Sequence, residues 1–440
     1  MATQHIGIGM AGFGTVGTGV WETLERNGQL ISNRAKNAFS LSIKKAAVRD
    51  ITKKRVEGAP AELFTTDWQE VVNHPEVDIV VELIGGTTTA FDIVAAALRL
   101  KKPVVTGNKA LLAERGAELF ALSLEFNTPI HFEAAVAGAI PVIKAVQDSY
   151  IGNRIETMSG IINGTSNYIL ERMTNAGLDY QTALKEAQDL GYAEADPALD
   201  VNGWDAAHKA ILLATLAYGF VIPPEQVYVR GIERVRTIDI DFATKLGYAV
   251  KLLSVIKEHD DGSVEIRTQP SFIAKSHILS SVNGVFNAVA VRGDASGEAL
   301  FYGRGAGKEP TASSVVGDLV EAAFTFVHTA GHRGFLPYAE NGKVLPSDET
   351  ETSYYVRFEV TDRPGVIAEI ANTLANDGVG ISGTNSQVDP ENPDKDFVDM
   401  VFLLHKCPFG KLRETLKKCE ALDSVTAKPV VFRIEKLATT

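Results

Sequence analysis

The chain has 440 residues, 45% of them apolar and 22% charged, with a formal net charge of −12. That length exceeds one ordinary hydrophobic core, so two to four domains are expected, and the balance is globular rather than disordered. The acidic excess argues against a nucleic-acid partner, and two cysteines, Cys407 and Cys419, exclude a disulfide framework and leave no thiol for catalysis before residue 407.

The opening MATQHIGIGM lacks the basic flank and long apolar stretch of a secretory signal. The longest apolar run, Ala210–Ile222, is too short to span a bilayer. A cytoplasmic protein with no membrane partner is the expectation.

From His5 to about Val136, short apolar strands alternate with helical stretches. Strands are predicted at Ile6–Met10, Leu41–Val48 (interrupted by Lys44 and Lys45), Val77–Ile84, Pro103–Thr106 and Ile130–Ala135, and helices at Thr15–Arg26 and Ala90–Leu100. Such alternation implies βαβ units and a parallel sheet, an α/β Rossmann-like domain. Between the first strand and first helix stand Gly12, Phe13, Gly14, Thr15, Val16 and Gly17, a G-x-G-x-x-G turn suited to a dinucleotide pyrophosphate. After the second strand, Arg49 suggests the extra phosphate of NADP, whereas the adjoining Asp50 suits NAD, so both cofactors stay open.

The middle of the chain mixes helices (Ile140–Ile151, Ser166–Ala176, Gln181–Leu190, Asn202–Tyr218) with strands (Tyr248–Ile256, Val264–Pro270, Val285–Val291), which reads as an α+β layer. Pro310–His328 is an amphipathic helix expected to pack back onto the first domain. Gly331–Thr352 loses periodicity, as a linker does. Beyond it come strand Tyr354–Val360, helix Val366–Ala375, strands Val379–Val388 and Phe397–His405, helix Phe409–Leu422 and strand Val430–Ile434, the βαββαβ order of a ferredoxin-like unit.

The densest polar segment, GYAEADPALDVNGWDAAHK, runs from Gly191 to Lys209. Asp205 and Lys209 share a helix face, and the helix turns apolar from there on, which buries this end. Aldehyde reduction needs a proton on the developing alkoxide, and a partly buried lysine can deliver it without a metal. Taken alone, the pair is more readily described as an i,i+4 surface ion pair on a capped helix. His208 points about 100° away around the helix and reads as packing or surface.

With GFGTVG, Thr106-Gly107-Asn108-Lys109-Ala110, the segment GIINGTSNY (160–168), GYAEADPALDVNGWDAAHK and GRGAGKEPTASSVVG (303–317), the chain resembles the homoserine dehydrogenases along essentially its whole length. The resemblance implies reversible, NAD(P)H-dependent reduction of aspartate semialdehyde to homoserine, in threonine, methionine and isoleucine biosynthesis. It implies a proton donor at Lys209, a second active-site lysine at Lys109, and substrate-binding positions at Glu194, Asp205, Asp200 and Thr165. Cofactor contacts fall on Phe13, Thr15, Val16, Arg49, Gly86, Thr87, Lys109 and Gly307. A sodium ion is implied near the hinge, at Glu133, Val136, Gly138 and Ile140, and oxygen donors in a tight loop suit such a hard cation. Ala195 and Ser166 depart from the residues common there, and neither is a proposed chemical group.

The C-terminal unit resembles an ACT domain, with Asp362, Pro364, Gly365, Val366 and Asn376 around its ligand pocket. The implied ligand is threonine, acting as a feedback inhibitor, and the implied assembly is a homodimer or homotetramer. Four segments follow: a nucleotide-binding domain (1–136, with 310–330 packing back), a catalytic and dimerisation domain (137–309), a linker (331–352) and a regulatory domain (353–436). An ACT-tailed 2-hydroxy-acid dehydrogenase would carry its nucleotide fold mid-chain and use a His–Glu pair. Aspartate semialdehyde dehydrogenase requires a catalytic cysteine. A non-catalytic sensor is opposed by the intact Lys109, Lys209, Glu194 and Asp205.

Overall fold

The computed structural model describes residues 3–53, 55–327, 334–339, 342–387 and 397–437. The predicted ends at His328 and Val388, residues 328–330 of the returning segment, and residues 331–333 and 340–341 of the linker lie outside them. In chain order the first elements are β1 (Gln4–Ala11), α1 (Thr15–Arg34), β2 (Phe39–Ala47), β3 (Phe64–Thr65), α2 (Trp68–Asn73), β4 (Ile79–Glu82), α3 (Thr89–Arg99), β5 (Val104–Thr106), α4 (Lys109–Phe126) and β6 (Ile130–His131). Then follow α5 (Val142–Lys144), β7 (Ile155–Ile161), α6 (Gly164–Ala176), α7 (Tyr180–Asp189), α8 (Ala198–Val201), α9 (Trp204–Tyr218), β8 (Tyr228–Val229) and α10 (Thr237–Lys245). The last are β9 (Tyr248–Glu258), β10 (Val264–Ala274), β11 (Phe286–Gly293), β12 (Gly297–Arg304), α11 (Lys308–Val327), β13 (Glu351–Thr361), α12 (Val366–Asn376), β14 (Ile381–Gln387), β15 (Phe397–Pro408), α13 (Phe409–Glu420) and β16 (Val430–Glu435).

By internal contact the chain forms two compact units. One comprises 1–158, 208–225 and 286–342; the other comprises 159–207, 226–285 and 343–440. The first unit contains a six-stranded parallel sheet in the order β3-β2-β1-β4-β5-β6. This is the dinucleotide-binding order, whose direction reverses between β1 and β4. Lys44, one of the residues that interrupt the second strand in sequence, is the extra residue of a bulge, since Ile8 pairs with Ile43 and Gly9 with Lys45. Ile6, Ile8 and Met10 of β1 share one core with Val20 and Leu24 of α1 and with Val315, Leu319 and Ala322 of α11. The α11 residues recur at helical spacing, so a helix distant in sequence completes this core. A β11–β12 hairpin belongs to the same unit.

In the second unit the strands run β9-β10-β16-β13-β15-β14, and β8 pairs with β10. The C-terminal part has the element order β13-α12-β14-β15-α13-β16. Tyr354, Val356, Phe358 and Val360 alternate along β13 into a core with Val366 and Ile370 of α12 and with Leu412 and Cys419 of α13. β16 pairs in parallel with β10, so this module and its neighbour share one continuous sheet.

Several elements escaped the pattern reading. Helix α10 (TIDIDFATK) alternates like a strand, and it forms because its N-terminus is capped, with Arg236 N–H donating to Asp239 at 2.9 Å. β12 lies between glycines and is largely solvated, which reads as a turn. The helix expected over Ile140–Ile151 is instead a short α-turn, Val142–Lys144, behind Pro141, followed by a π-turn at Ala145–Ser149. No helix among the described residues is long and apolar enough to cross a membrane. Cys407 and Cys419 are both free and buried; burial pushes their thiols up, Cys419 to about 11, which suits packing rather than redox chemistry.

Candidate active site

The glycine turn opens at the carboxyl end of β1, at the point of reversal. Gly12 holds φ +100°, and a Cβ there would stand 2.6 Å from the Leu83 carbonyl. A Cβ on Gly17 would stand 2.5 Å from the Gly12 carbonyl, so helix and turn pack together only without side chains. At Gly14 a Cβ would meet nothing within 4 Å, and Gly14 and Thr15 are exposed. These are the three glycine roles of a pyrophosphate cradle, a tight turn, an open approach and close helix packing, and a dinucleotide fits them. Phe13 is the exception among the residues of this turn. Its ring is buried edge-on against Phe64, 5.1 Å between centroids, so only its backbone faces the cradle.

At the end of β2, Arg49 and Asp50 are both exposed. The Asp50 carboxylate accepts from the Thr52 amide (2.8 Å) and hydroxyl (2.6 Å), bonds that hold it below the usual carboxylate range and turn it into its own loop. Arg55, which the sequence reading did not single out, donates to the Asp50 carbonyl at 2.6 Å. Lys44 and Lys45 pair with Glu76 and Glu70 instead.

Three neighbouring strands end side by side at Ala11, Glu82 and Thr106. Glu82 is fully buried. Its carboxylate accepts from the Thr106 hydroxyl (2.6 Å), the Ile84 amide (2.9 Å), the Gly85 amide (3.3 Å) and the Asn108 side chain (3.4 Å). Burial raises its pKa and those four donors oppose the rise. Asn108 also donates to the Gly86 carbonyl (2.7 Å) and caps α4 through the Leu111 amide (3.1 Å), directly before the half-buried Lys109. Gly85 and Gly86 both have positive φ, and Thr87 follows half-buried. Gly307, at φ +131°, is exposed just before α11.

Helix α6 opens on Asn163, whose side-chain oxygen accepts from the Ser166 amide at 2.7 Å. The same side chain donates one N–H to Asp200 (2.7 Å) and the other to Asp205 (2.8 Å). Ser166 donates to the Asp200 carbonyl at 2.8 Å, and Thr165 to the Tyr192 carbonyl at 2.7 Å. The first turn of α6 thus fixes the loop that carries the candidate carboxylates. Asn163 stood in a quoted motif without a role; its capping position was the available signal. Lys209 lies one helical turn beyond Asp205 on α9, with both residues at least nine-tenths buried. His208 is buried as well, the packing alternative of its sequence reading. Glu194 is exposed on the loop before α8, and hydrogen bonding does not join it to the Asn163 cluster.

Glu133 is buried, with its carboxylate accepting from the Ile143 (2.9 Å) and Lys144 (2.8 Å) amides and its own amide donating to Asp318 at 2.8 Å. Burial pushes Glu133 up to about 7 and Asp318 well above the carboxylate range, against the opposing charge of Lys144. Ala137 and Gly138 take positive φ between the buried Val136 and Ile140, a tight loop of carbonyls. Oxygen donors are what a hard cation takes, and the Gly138 and Ile140 carbonyls here already accept from the Ser314 hydroxyl (2.5 Å) and the Val142 amide (2.8 Å).

In the C-terminal module, Asp362, Pro364 and Gly365 are exposed before α12. Gly365, φ +94°, leaves the first-turn amides of α12 uncrowded, since a Cβ there would touch nothing within 4 Å. Asn376 is exposed at the other end of the helix, whereas Val366 turns into the core.

A dinucleotide cradle at a topological switch point, together with a lysine helix carrying fixed carboxylates, defines a nicotinamide-dependent oxidoreductase. Family models agree in detail: "Homoserine dehydrogenase, NAD binding domain" matches residues 12–133 and "Homoserine dehydrogenase" matches residues 141–320. The chain belongs to the homoserine dehydrogenase family. It is 41% identical to the homoserine dehydrogenase of Pseudomonas aeruginosa over 99% of this chain and 100% of that one. The Neisseria gonorrhoeae enzyme is 40% identical, with 99% of each chain covered. A crystal structure of a homoserine dehydrogenase from Thiobacillus denitrificans superposes with a TM-score of 0.90, at 40% identity and 99% coverage of both chains. A hyperthermophilic archaeal homoserine dehydrogenase in complex with NADPH superposes with a TM-score of 0.63, at 26% identity over 75% of this chain and all of that one.

Proposed function

We propose that this homoserine dehydrogenase reduces L-aspartate 4-semialdehyde reversibly to L-homoserine, with Lys209 as proton donor. The observation that carries the reading is the Asn163 side chain, which holds Asp200 together with Asp205, and Asp205 stands one helical turn before Lys209. Carboxylates held at this place suit the ammonium groups of a lysine and of a substrate. The nicotinamide, when bound, supplies hydride to the aldehyde carbon. Lys209 gives its proton to the oxygen as the alkoxide develops. Asp205, Asp200 and Thr165 orient the substrate, with Glu194 reaching it from its exposed loop, and Lys109 completes the polar wall beside the cofactor. Aldehyde-dependent oxidation of NADPH is the direct test; a folded protein without it would sink the assignment.

Gly12 to Gly17, Gly86, Thr87 and Gly307 line the cofactor site in this proposal, and NADPH is the preferred form because Asp50 is committed to its own turn while Arg49 is exposed. Glu133, with carbonyls of Val136, Gly138 and Ile140, holds sodium. One kinetic series checks both. Arg49→Ser should raise KM for NADPH about tenfold, with little change for NADH. Exchanging sodium for a bulky organic cation should lower turnover in wild type but not in Glu133→Ala. Equal NADPH and NADH responses in Arg49→Ser, or identical rates in both salts, would remove the respective claim.

The C-terminal module acts as an ACT-type sensor that binds threonine at a subunit interface of a dimer or tetramer. The uncrowded N-terminus of α12 suits the ligand carboxylate, with Asp362 beside it, and Asn376, at the far end of the helix, serves the other side of the pocket across the interface. Threonine should inhibit the wild type, and Asp362→Ala or Asn376→Ala should raise the half-inhibiting concentration at least about tenfold. Unchanged inhibition in both variants, or a monomer by light scattering at assay concentration, would refute it.

A further inference from the structure

A carboxylate buried without a cationic partner is costly, and β4 ends on one that has none among the described residues. The strand is Ile-Val-Val-Glu, buried at all four positions. What the carboxylate adds is four hydrogen bonds from three different places: the end of β5 at Thr106, the Ile84–Gly85 turn, and Asn108. Asn108 passes the constraint on, clamping the Gly86 carbonyl with its remaining side-chain N–H geometry and capping α4 at Lys109. The Thr106 hydroxyl serves both sides, donating to Glu82 and accepting from the Asn108 amide at 3.0 Å. All of this sits at the carboxyl ends of β4 and β5, opposite Ala11, where the strand order reverses and a dinucleotide lies.

We propose that Glu82 is a positioning residue of the cofactor site. Its carboxylate sets the Gly85–Gly86 turn and the first turn of α4 relative to the glycine cradle, and so places the Gly86 backbone and Lys109. The inference rests on the reading that Gly86 and Lys109 belong to that site. It reaches beyond them to a side chain that touches neither substrate nor cofactor.

Glu82→Gln separates positioning from bulk. The amide oxygen can still accept from Ile84 and Gly85, but the amide nitrogen now faces the Thr106 oxygen. That oxygen already accepts from Asn108, and its own hydrogen must turn elsewhere. Thr106→Val deletes the same link from the other side. Both variants should weaken NADPH binding about tenfold, read by quenching or transfer of nicotinamide fluorescence. KM for aspartate semialdehyde should stay within about twofold, with a thermal midpoint near that of wild type. Glu82→Ala should weaken NADPH further, and Gln should recover part of that loss. If Glu82→Ala fails to fold, the other two variants still decide. Wild-type NADPH affinity in both Glu82→Gln and Thr106→Val overturns the proposal, as does an equal loss for both substrates with a lowered midpoint. Lys109→Ala separates the premise from the inference. If it binds NADPH normally while the Glu82 variants do not, the lysine assignment fails and the positioning role stands through Gly86. If only Lys109→Ala binds weakly, the positioning role fails.

Discussion

Lys209→Ala should lower kcat for aldehyde reduction roughly 10²- to 10⁴-fold, about 3–5 kcal/mol of transition-state stabilisation, with NADPH affinity little changed. The size follows from burial. Lys209 is 8% exposed, and the helix beyond it, Ala210 to Ala214, is buried throughout. Bulk water is a poor substitute donor there, and deletion of the ammonium leaves the alkoxide to develop unprotonated. It also removes an ammonium one helical turn from Asp205, which adds a loss in substrate binding. Asp205→Asn should therefore act mainly on KM for the amino-acid substrate, because its oxygen can still accept from Asn163. Steady-state kinetics with both substrates varied, beside direct NADPH binding, resolves the two. Turnover of Lys209→Ala within about threefold of wild type would remove the proton-donor role.

The parts legible in sequence are those governed by local periodicity or backbone demand. Alternating strands and helices indicated the parallel sheet, and the glycines at 12, 14 and 17 are spaced as the turn requires. The βαββαβ order at the C-terminus followed from the same reasoning. What stayed hidden depends on residues brought together from afar. Glu82 lay unremarked inside the predicted strand Val77–Ile84, since nothing in its neighbourhood foretells donors at Thr106 and Asn108. Asn163 carried no role in sequence, because the two carboxylates it holds lie about 40 residues later in the chain. Phe13 was assigned to the cofactor for its place in the turn, and only packing against Phe64 shows its ring turned inward. Helix α10 went unread because its alternating pattern resembles a strand, whereas its cap and its burial against β9 decide otherwise.

That helix bears on how the C-terminal module is attached. Asp239 of α10 is fully buried; it accepts from Arg357 Nε at 2.8 Å and from the Tyr355 hydroxyl at 2.8 Å, both on β13. Arg357 reaches Asp399 at 3.2 Å, and Asp399 is held in two bonds by Arg236 (3.0 and 2.8 Å). On the same sheet, Arg267 of β10 pairs with Glu435 of β16 at 2.6 Å beside the β10–β16 ladder. A truncation before Ser353 would strip β16 from β10 and take Arg357 and Tyr355 from Asp239 and Glu435 from Arg267. It would measure damage to the sheet rather than loss of a sensor, so point variants at Asp362 and Asn376 are the sound test. Asp239→Ala should cost about 3–5 kcal/mol, because it leaves a buried guanidinium and a phenol short of partners. The double variant Asp239→Leu/Arg357→Leu should recover much of that loss, since a missing charge pair is cheaper than a broken one. Denaturant midpoints for the wild type, the single and the double variant measure both effects. A loss under about 1 kcal/mol in the single variant would mean that the module is joined by the strand ladder alone, with the ion pairs incidental to its stability.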